Sequence, residues 1–254
     1  MDVLMDESLA EKYHSNSQRA RVMTEPWIEA HMYCPRCHTD HVKRRKNNTP
    51  VDDFHCTVCG AEYELKSKSG RWGKSLQGGA YSKMIERITS DTNPDLFLLS
   101  YAKDPARVTD LTLIPKYFLT PSIVKKRKPL GPNAKRAGWV GCTVDLSKIP
   151  EQGKIAVIRD GVMLDPELVR DAVRRAGKLE MASGEARSWL LDVLTVVNDL
   201  GDEFTLEEVY SYEIALAANH PDNHHVRAKI RQQLQALRDR GVIEMAGNGQ
   251  YRKL

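Results

Sequence analysis

The chain contains no long hydrophobic run. Of its 254 residues, 41% are hydrophobic and 7% aromatic, and the mean hydropathy is −0.50. A membrane-spanning helix needs about 18 consecutive apolar residues, and no stretch of this sequence supplies them. The first seven residues include three acidic residues and no basic one, which does not match a secretory signal. We therefore expect a soluble, cytoplasmic protein with one or two packed domains.

Cysteine is scarce, and four of the five cysteines fall into two pairs. Cys34 and Cys37 form one C-x2-C pair, Cys56 and Cys59 form the other, and eighteen residues separate the pairs. This spacing predicts a tetrahedral zinc site, whereas a redox centre needs only one pair and a cytoplasmic protein rarely keeps disulfides. Because four thiolates leave no open position for water, the predicted zinc is structural. The fifth cysteine, Cys142, is expected to be a buried apolar thiol.

Neither sign of charge dominates, since 38 basic and 34 acidic residues leave a net charge of +4. The distribution is uneven. Residues 184–254 contain eight basic and eleven acidic residues, yet the part from 222 to 254 contains seven basic and three acidic residues. This clustering fits nucleic-acid binding, although uneven surface charge without a partner produces the same pattern.

Two acidic residues and a lysine suggest a nuclease site. Asp53 is followed eleven residues later by Glu64, and Lys66 comes two residues after that. Side chains two apart on a strand share a face, so Glu64 and Lys66 point the same way and Leu65 faces the core. Two carboxylates on neighbouring strands can hold Mg²⁺, and a lysine can stabilise developing negative charge. Taken alone, the pattern also fits a solvated strand edge.

The predicted zinc ligands are interleaved with these acids. Cys56 follows Asp53 by three residues, and Cys59 precedes Glu64 by five, so the second cysteine pair lies at the turn of the acidic hairpin. Zinc would hold that hairpin together. Between the cysteine pairs, Lys43–Lys46 is predicted to be a basic loop that either lies along phosphates or is a solvated turn.

Helical and strand-like patterns alternate in this first part of the chain. Two segments have helical patterns and three apolar runs are typical of buried strands, namely 11–28 and 79–88, and 96–101, 111–115 and 154–158. We predict an α/β fold with a mixed sheet. Its order of helix, acidic hairpin, helix and strand corresponds to the core of a PD-(D/E)XK nuclease.

A long basic loop, residues 125–139, interrupts the strands. It carries six positive charges, contains prolines and glycines, and ends in a tryptophan. That tryptophan either contacts a base or anchors the next strand in the core. The candidate DNA contacts in the loop are Lys126, Arg127, Lys128, Arg136 and Trp139.

A predicted linker, Met181–Gly184, divides the chain into a catalytic domain at 1–183 and a second domain at 184–254. In the second domain, residues 187–200 carry an apolar helical stripe, and Thr205 begins a second helix with a capping box.

A third helix and a hairpin complete this domain. Asp222 or Asn223 is predicted to cap the helix, which runs to about Arg240 and is stopped by Gly241. Ala246–Gly249 then marks a tight hairpin. Three helices followed by a hairpin predict a winged helix.

The exposed face of the third helix is polar and basic. Arginine and glutamine are residue types that contact guanine and adenine edges in the major groove, which favours DNA over a protein partner. The candidate contacts in this domain are Asn223, His224, Arg231, Gln232, Gln235 and, on the wing, Arg252.

Several stretches, spread over nearly the whole chain, together match one family pattern: Ser15–Gln18, Tyr33–Cys37, Asp53–Phe54, Glu62–Lys68, Arg127–Leu130, Arg136–Trp139 and Lys229–Gln235. The chain resembles the DpnI-type methyl-directed type II restriction endonucleases. The resemblance implies a PD-(D/E)XK domain with a structural zinc and a C-terminal winged helix. It also implies Mg²⁺-dependent cleavage of double-stranded DNA at GATC, only where the adenine carries an N6-methyl group.

The resemblance also implies roles for single residues. The metal-binding acids map to Asp53 and Glu64, the catalytic lysine to Lys66, and the methyl-sensing tryptophan to Trp139. The neighbouring Asp52 is the weaker candidate for the metal.

Two other classes of function would use the same predicted domains. One is a non-catalytic DNA-binding regulator with a zinc ribbon and a winged helix, which would have no use for Asp53, Glu64 and Lys66. The other is a repair nuclease on the same fold, which would cut without regard to GATC methylation. One winged helix beside one catalytic site favours a monomer.

Overall fold

The computed structural model describes residues 2–45, 52–90, 92–180 and 184–254. The chain forms two compact units. The first comprises Met1–Leu76, Glu86–Lys116 and Glu151–Ala176, and the second comprises Gln77–Ile85, Tyr117–Pro150 and Gly177–Leu254. No helix in the described part of the chain is both long and apolar enough to cross a membrane.

The predicted division into 1–183 and 184–254 stays a prediction. Residues 181–183 of the predicted linker lie outside the described residues, and Gly184 is the first residue of a helix.

Helices and strands alternate through much of the chain. The α-helices are α1 (Asn16–His31), α2 (Tyr81–Thr89), α3 (Pro166–Gly177), α4 (Gly184–Asp199), α5 (Leu206–Tyr210), α6 (Glu213–Asn219) and α7 (Val226–Asp239). The strands are β1 (Lys43–Arg44), β2 (Phe54–His55), β3 (Glu62–Ser69), β4 (Ser75–Ala80), β5 (Asp95–Lys103), β6 (Ala106–Ile114), β7 (Val124–Lys126), β8 (Gly141–Asp145), β9 (Ile155–Arg159), β10 (Val162–Met163), β11 (Glu203–Thr205), β12 (Ile243–Gly247) and β13 (Gln250–Lys253).

A seven-stranded sheet forms the first unit, with the order β1-β2-β3-β5-β6-β9-β10. Strands β3 and β5 are parallel, and the other neighbouring strands are antiparallel. Strand β5 lies near the middle and is buried from Asp95 to Tyr101, which explains its continuous apolar run. The predicted α/β class with a mixed sheet is confirmed.

Helix α1 packs on this sheet, and Thr24 Oγ1 lies 3.2 Å from Ser67 Oγ on β3. The helix begins at Asn16 rather than at residue 11, so the prediction placed its start too early. Ser15 has the extended backbone of an N-cap residue, and Glu7–Ala10 form a separate 3-10 helix. Short polar side chains compete with the helix for backbone hydrogen bonds and favour its ends, which fits the observed start.

The second unit contains a three-stranded sheet with the order β4-β8-β7. Strand β4 was not predicted, because two of its six residues are glycines and it has no apolar alternation. Gly78 is required there, since an added Cβ would lie 2.5 Å from the sulfur of Cys142. Cys142 is fully buried, as predicted, and burial raises the pKa of its thiol.

The rest of the second unit has the predicted winged-helix pattern, with helices α4 to α7 and a sheet ordered β11-β13-β12. The capping box is confirmed, because Thr205 Oγ1 accepts from Glu208 N at 3.2 Å and Glu208 accepts from Thr205 N at 2.7 Å. The predicted second helix is divided into α5 and α6. Strand β11, only three residues long, was not predicted.

The start of α7 corrects the sequence prediction. The helix begins at Val226 with His225 as its N-cap residue, so neither Asp222 nor Asn223 caps it. Instead, Asn223 Oδ1 accepts from His225 N at 2.9 Å and forms a turn ahead of the helix. The other end agrees with the prediction, because the helix stops before Gly241, whose φ is +67°.

Candidate active site and zinc centre

Two matching turns present the four cysteines. In the Cys34 knuckle (residues 34–39), His38 N donates to Cys34 O at 2.8 Å, and in the Cys56 knuckle (residues 56–61), Gly60 N donates to Cys56 O at 3.1 Å. His38 and Gly60 both have left-handed backbone, with φ of 63° and 71°. The two knuckles are therefore built alike, each directing two sulfurs inward.

The sulfurs form a single cluster in which all four lie within 4.8 Å of one another. Cys34 Sγ is 3.6 Å from Cys59 Sγ, and Cys37 Sγ is 3.5 Å from Cys56 Sγ. Tetrahedral zinc with Zn–S bonds of about 2.3 Å separates its sulfurs by about 3.8 Å. The cluster could therefore hold zinc with little adjustment, as the cysteine spacing predicts.

Hydrogen-bond donors surround the sulfurs. The Tyr63 hydroxyl lies 3.1 Å from Cys34 Sγ, and the backbone N–H groups of Val58 and Cys59 point at Cys56 Sγ from 3.4 and 3.5 Å. Burial acts to raise the pKa of Cys56, but these N–H groups outweigh it and lower the pKa to about 6. These N–H groups thus favour the thiolate form of Cys56, which is the form that binds zinc, whereas burial raises the pKa of Cys34 and of Cys59.

The Cys56 knuckle joins β2 to β3 and sets Asp53 against β3. Asp53 lies immediately before β2, where its N–H donates to Tyr63 O at 2.9 Å. Its Oδ2 accepts from Leu65 N at 2.7 Å. The backbone therefore fixes Asp53 at two points, and Oδ2 is the carboxylate oxygen that this contact engages.

Glu64 and Lys66 share one face of β3, as predicted. Lys66 Nζ is in close contact with Glu64 Oε1. Glu64 Oε2 lies 3.0 Å from Nη1 of Arg87, which projects from α2. On the other face, Tyr63 is fully buried and Leu65 is half-buried.

The two carboxylates influence each other. Burial raises the pKa of Asp53 and the negative charge of Glu64 adds to that effect, while the Leu65 N–H, Lys66 and Arg87 oppose it. Two carboxylates that repel one another in a half-buried site favour a cation between them.

The donor set fits Mg²⁺, which prefers carboxylate oxygens and keeps several waters. Across the described ranges, the four cysteines are the only cluster of three or more potential metal ligands. Asp53 and Glu64 would therefore supply two ligands, and water and DNA oxygens would complete the shell.

The neighbouring acid, Asp52, already has a partner. Its Oδ2 accepts from Arg45 Nε at 2.9 Å, and its side chain is only 3% exposed. Arg44 pairs with Glu25 of α1 at 2.6 Å. Lys43 and Arg44 form strand β1, and the two arginines neutralise acids of their own chain, so the solvated turn is wrong for them. Contact of this run with phosphates stays a prediction, and Lys46 lies outside the described residues.

The predicted basic loop is a hairpin tip (residues 127–140) that extends β7 and β8. Arg127 N donates to Gly141 O and Leu130 N donates to Trp139 O, each at 2.9 Å. The Arg136 guanidinium lies 4.6 Å from the centre of the Trp139 ring. Trp139 is half-buried, and the basic candidates of this segment are all exposed, namely Lys126, Arg127, Lys128 and Arg136.

Helix α7 separates an apolar stripe from a polar face. Val226, Ile230, Leu234 and Leu237 are buried, as predicted. The candidate DNA contacts on and before the helix are exposed, namely His224, Arg231, Gln232 and Gln235. The structure therefore presents these four side chains to solvent, and their contact with DNA stays a prediction.

Some candidate contacts are engaged within the protein. Arg231 Nη1 donates to the Tyr210 hydroxyl at 2.8 Å. Arg252 pairs with Glu203 at 3.2 Å and with Glu244 at 3.0 Å. The two Arg252 ion pairs are exposed, and exposed ion pairs contribute little free energy, so a phosphate can replace them.

Two residues of the site escaped the sequence analysis. Tyr63 was assigned only to the hairpin, although its hydroxyl contacts the sulfur of Cys34, a candidate zinc ligand. Arg87 lies in the segment predicted to be helical, and no spacing pattern connects it to Glu64 twenty-three residues earlier.

Comparison with known families gives two matches that together span almost the whole chain. The family model described as DpnI, the Dam-replacing family, matches residues 1–181. The family model described as the Dam-replacing HTH domain matches residues 185–253.

Proposed function

The chain belongs to the DpnI, or Dam-replacing, family, and from that premise we propose that it is a methyl-directed type II restriction endonuclease. Its substrate would be double-stranded DNA with N6-methyladenine in GATC, and its reaction would be Mg²⁺-dependent hydrolysis of a phosphodiester. One observation carries the proposal: Asp53, Glu64 and Lys66 meet on a hairpin braced by four cysteines, in a chain that also has an HTH domain.

Asp53 and Glu64 would hold the Mg²⁺. When bound, the ion supplies a Lewis acid for a phosphoryl oxygen and lowers the pKa of a bound water. The Leu65 N–H, 2.7 Å from Asp53 Oδ2, keeps the carboxylate from rotating away. Glu64 is oriented by the two cations that face its oxygens.

Lys66 would act on the phosphate. Its side chain is 35% exposed and close to Glu64, so the ammonium group can be reached from solvent. An ammonium group has three N–H donors, so it can stay near Glu64 while it donates to a phosphate oxygen. Negative charge builds up on that phosphate during hydrolysis, which makes this interaction stronger in the transition state.

Trp139 and helix α7 are the proposed elements that read the DNA. The indole is half-buried and stacked with Arg136, so one face of the hairpin tip offers aromatic and cationic groups together. Burying one methyl group is worth about 1 kcal/mol, or roughly fivefold in affinity. A palindromic GATC site carries two methyl groups, so two such contacts would multiply the discrimination.

We also propose that the protein acts as a monomer in the cytoplasm. Four zinc-binding thiolates require a reducing environment, which the cytoplasm provides. The chain has one Asp53–Glu64–Lys66 cluster and one match to an HTH domain, so a monomer would cut the two strands in turn.

The decisive experiment is cleavage of matched plasmids. Plasmid DNA with and without Dam methylation is incubated with the protein and Mg²⁺, and Asp53→Asn is the control for contaminating nucleases. Cleavage of methylated plasmid alone, at GATC, is expected. Cleavage of both plasmids would indicate a repair nuclease instead. Binding of DNA without cleavage of either would indicate a regulator.

A further inference from the structure

Arg87 lies next to the candidate active site, and the mechanism proposed above uses it only as one of two cations that face Glu64. It projects from α2, and its Nη1 is 3.0 Å from Glu64 Oε2. Its Nε and Nη2 atoms are buried and have no hydrogen-bond partner among the residues that the structure describes. The side chain is therefore half-buried, with Glu64 as its one charged partner among the described ion pairs.

This placement is unfavourable for stability alone. The Arg87 side chain is 27% exposed, but its two buried, unsatisfied donors lose hydration that one ion pair does not fully restore. An apolar side chain of similar length would fill the same space without that cost. The charge of Arg87 therefore points to a role at Glu64 rather than in the core.

The arrangement balances charge around the candidate metal ligands. Asp53 and Glu64 are the two candidate ligands, and Lys66 and Arg87 are the two cations beside Glu64. Glu25 of α1, a third acid that interacts with the charge of Asp53, is paired with Arg44. Lys66 and Arg87 are 35% and 27% exposed, but Arg87 has two guanidinium nitrogens buried, which restricts its movement away from Glu64. Any divalent cation at Glu64 must therefore compete with the positive charge of Arg87.

We propose that Arg87 is a positioning residue: it fixes the Glu64 carboxylate in place and, by its charge, weakens the affinity of the site for divalent cations. The inference rests on the proposed Mg²⁺-dependent cleavage. It predicts two opposite effects of removing the charge. Divalent cations should bind more tightly, and the cleavage step should become slower because Glu64 is no longer held.

Metal binding gives the first test. Free Mn²⁺ is measured by electron paramagnetic resonance during titration of the full-length, zinc-loaded protein, and Asp53→Asn defines the background. One unit of charge beside a divalent cation, screened by water, changes the dissociation constant by about tenfold. We expect Arg87→Met to bind Mn²⁺ about tenfold more tightly and Arg87→Lys, which keeps the charge, to bind like the parent. Unchanged or weaker binding by Arg87→Met would overturn the proposal.

Cleavage gives the second test. Single-turnover cleavage of Dam-methylated DNA at saturating Mg²⁺ is expected to be about tenfold slower in Arg87→Met and intermediate in Arg87→Lys. Arg174→Met is the matched control, because Arg174 is 74% exposed and pairs with Asp171 on its own helix, away from Glu64 in the sequence and in the described ion pairs. A parental rate in Arg87→Met would overturn the positioning role.

The two tests separate this inference from the proposed function. If the parent does not cleave methylated DNA, the proposed function fails, and the Mn²⁺ titration still decides whether Arg87 opposes metal binding. If the parent cleaves and Arg87→Met behaves like Arg174→Met in both tests, only the inference about Arg87 fails.

Discussion

The two hairpins proposed to cut and to read DNA are held in different ways. The hairpin of β2 and β3 turns through the Cys56 knuckle, and four sulfurs within 4.8 Å of one another brace it. The hairpin tip beyond β7 and β8 is held by backbone hydrogen bonds and by the stacking of Arg136 on Trp139. One is closed by a predicted metal centre, and the other by contacts that solvent can reach.

The difference suits the two tasks. Metal-dependent hydrolysis requires ligands placed to within about 0.5 Å, so a hairpin held rigidly by a metal centre is an advantage. Recognition of a methyl group depends on surface contact that a side chain can adjust on binding. Changes to the first hairpin should therefore abolish function, whereas changes to the second should alter it by degrees.

Loss of the zinc should have the largest effect. We expect Cys56→Ala to lose zinc, to melt at a lower temperature and to cleave methylated DNA at least about a thousandfold more slowly, because the hairpin no longer holds Asp53 against β3. Zinc content, a thermal melt and a cleavage assay measure this. Cys142→Ala is the matched control and should retain zinc. Full cleavage by zinc-free protein would remove the distinction between the two hairpins.

The pH dependence should be the next largest effect. The pKa of Asp53 is raised by burial, so protonation removes this ligand at a higher pH than for an ordinary carboxyl group. Single-turnover cleavage should fall by about tenfold per pH unit below that pKa.

Ionisation of Asp53 should favour cleavage but lower the stability of the folded protein. A raised pKa means that the folded protein disfavours the ionised form, so Asp53 destabilises the metal-free protein above its pKa. Asp53→Asn should therefore raise the melting temperature of protein that holds zinc but no Mg²⁺ at pH 7.5. It should have little effect on the melting temperature well below the Asp53 pKa. If Asp53→Asn raised the melting temperature equally at every pH, burial of the Asp53 charge would not be the cause.

Trp139 tests the second hairpin. We expect Trp139→Ala to reduce the ratio of methylated to unmethylated cleavage by roughly fivefold per methyl group while leaving zinc content and melting temperature near those of the parent. Trp139→Phe keeps an aromatic ring and should reduce this ratio less. If Trp139→Ala cleaves both DNAs in the parental ratio, the tip does not sense the methyl group.

Substitution of Gly141 should have the smallest effect on methyl discrimination. An added Cβ would lie 2.7 and 2.8 Å from two atoms at the outer edge of the Trp139 ring, so the indole must tilt. We expect Gly141→Ala to lower methyl discrimination by about twofold, less than removal of the ring. Gly79→Ala, where a Cβ meets nothing within 4 Å, is the control and should leave the ratio unchanged.

Features that depend on short segments were predictable from the sequence. The four cysteines, Asp53, Glu64 and Lys66 all fall within residues 34–66, and one hairpin with its adjoining knuckle brings them together. The apolar stripe of α7 and the capping box at Thr205 are equally local, since each depends on a single helix.

Features that depend on distant segments were not predictable. Arg44 and Arg45 form a basic run in the sequence, but the fold brings acids from α1 and from beside β2 to them. Arg87 meets Glu64 only because α2 packs beside β3. No local spacing encodes such pairings, so charge runs in a sequence say little about which charges stay exposed.

The crossed arrangement of the two knuckles has a consequence for the lifetime of the protein. Cys34 lies 3.6 Å from Cys59, and Cys37 lies 3.5 Å from Cys56, so each knuckle faces the sulfurs of the other. If the metal is lost under oxidising conditions, these neighbours are placed to form disulfides that staple the knuckles together and prevent zinc from returning. Oxidants would then inactivate the protein until a reductant and zinc are supplied together.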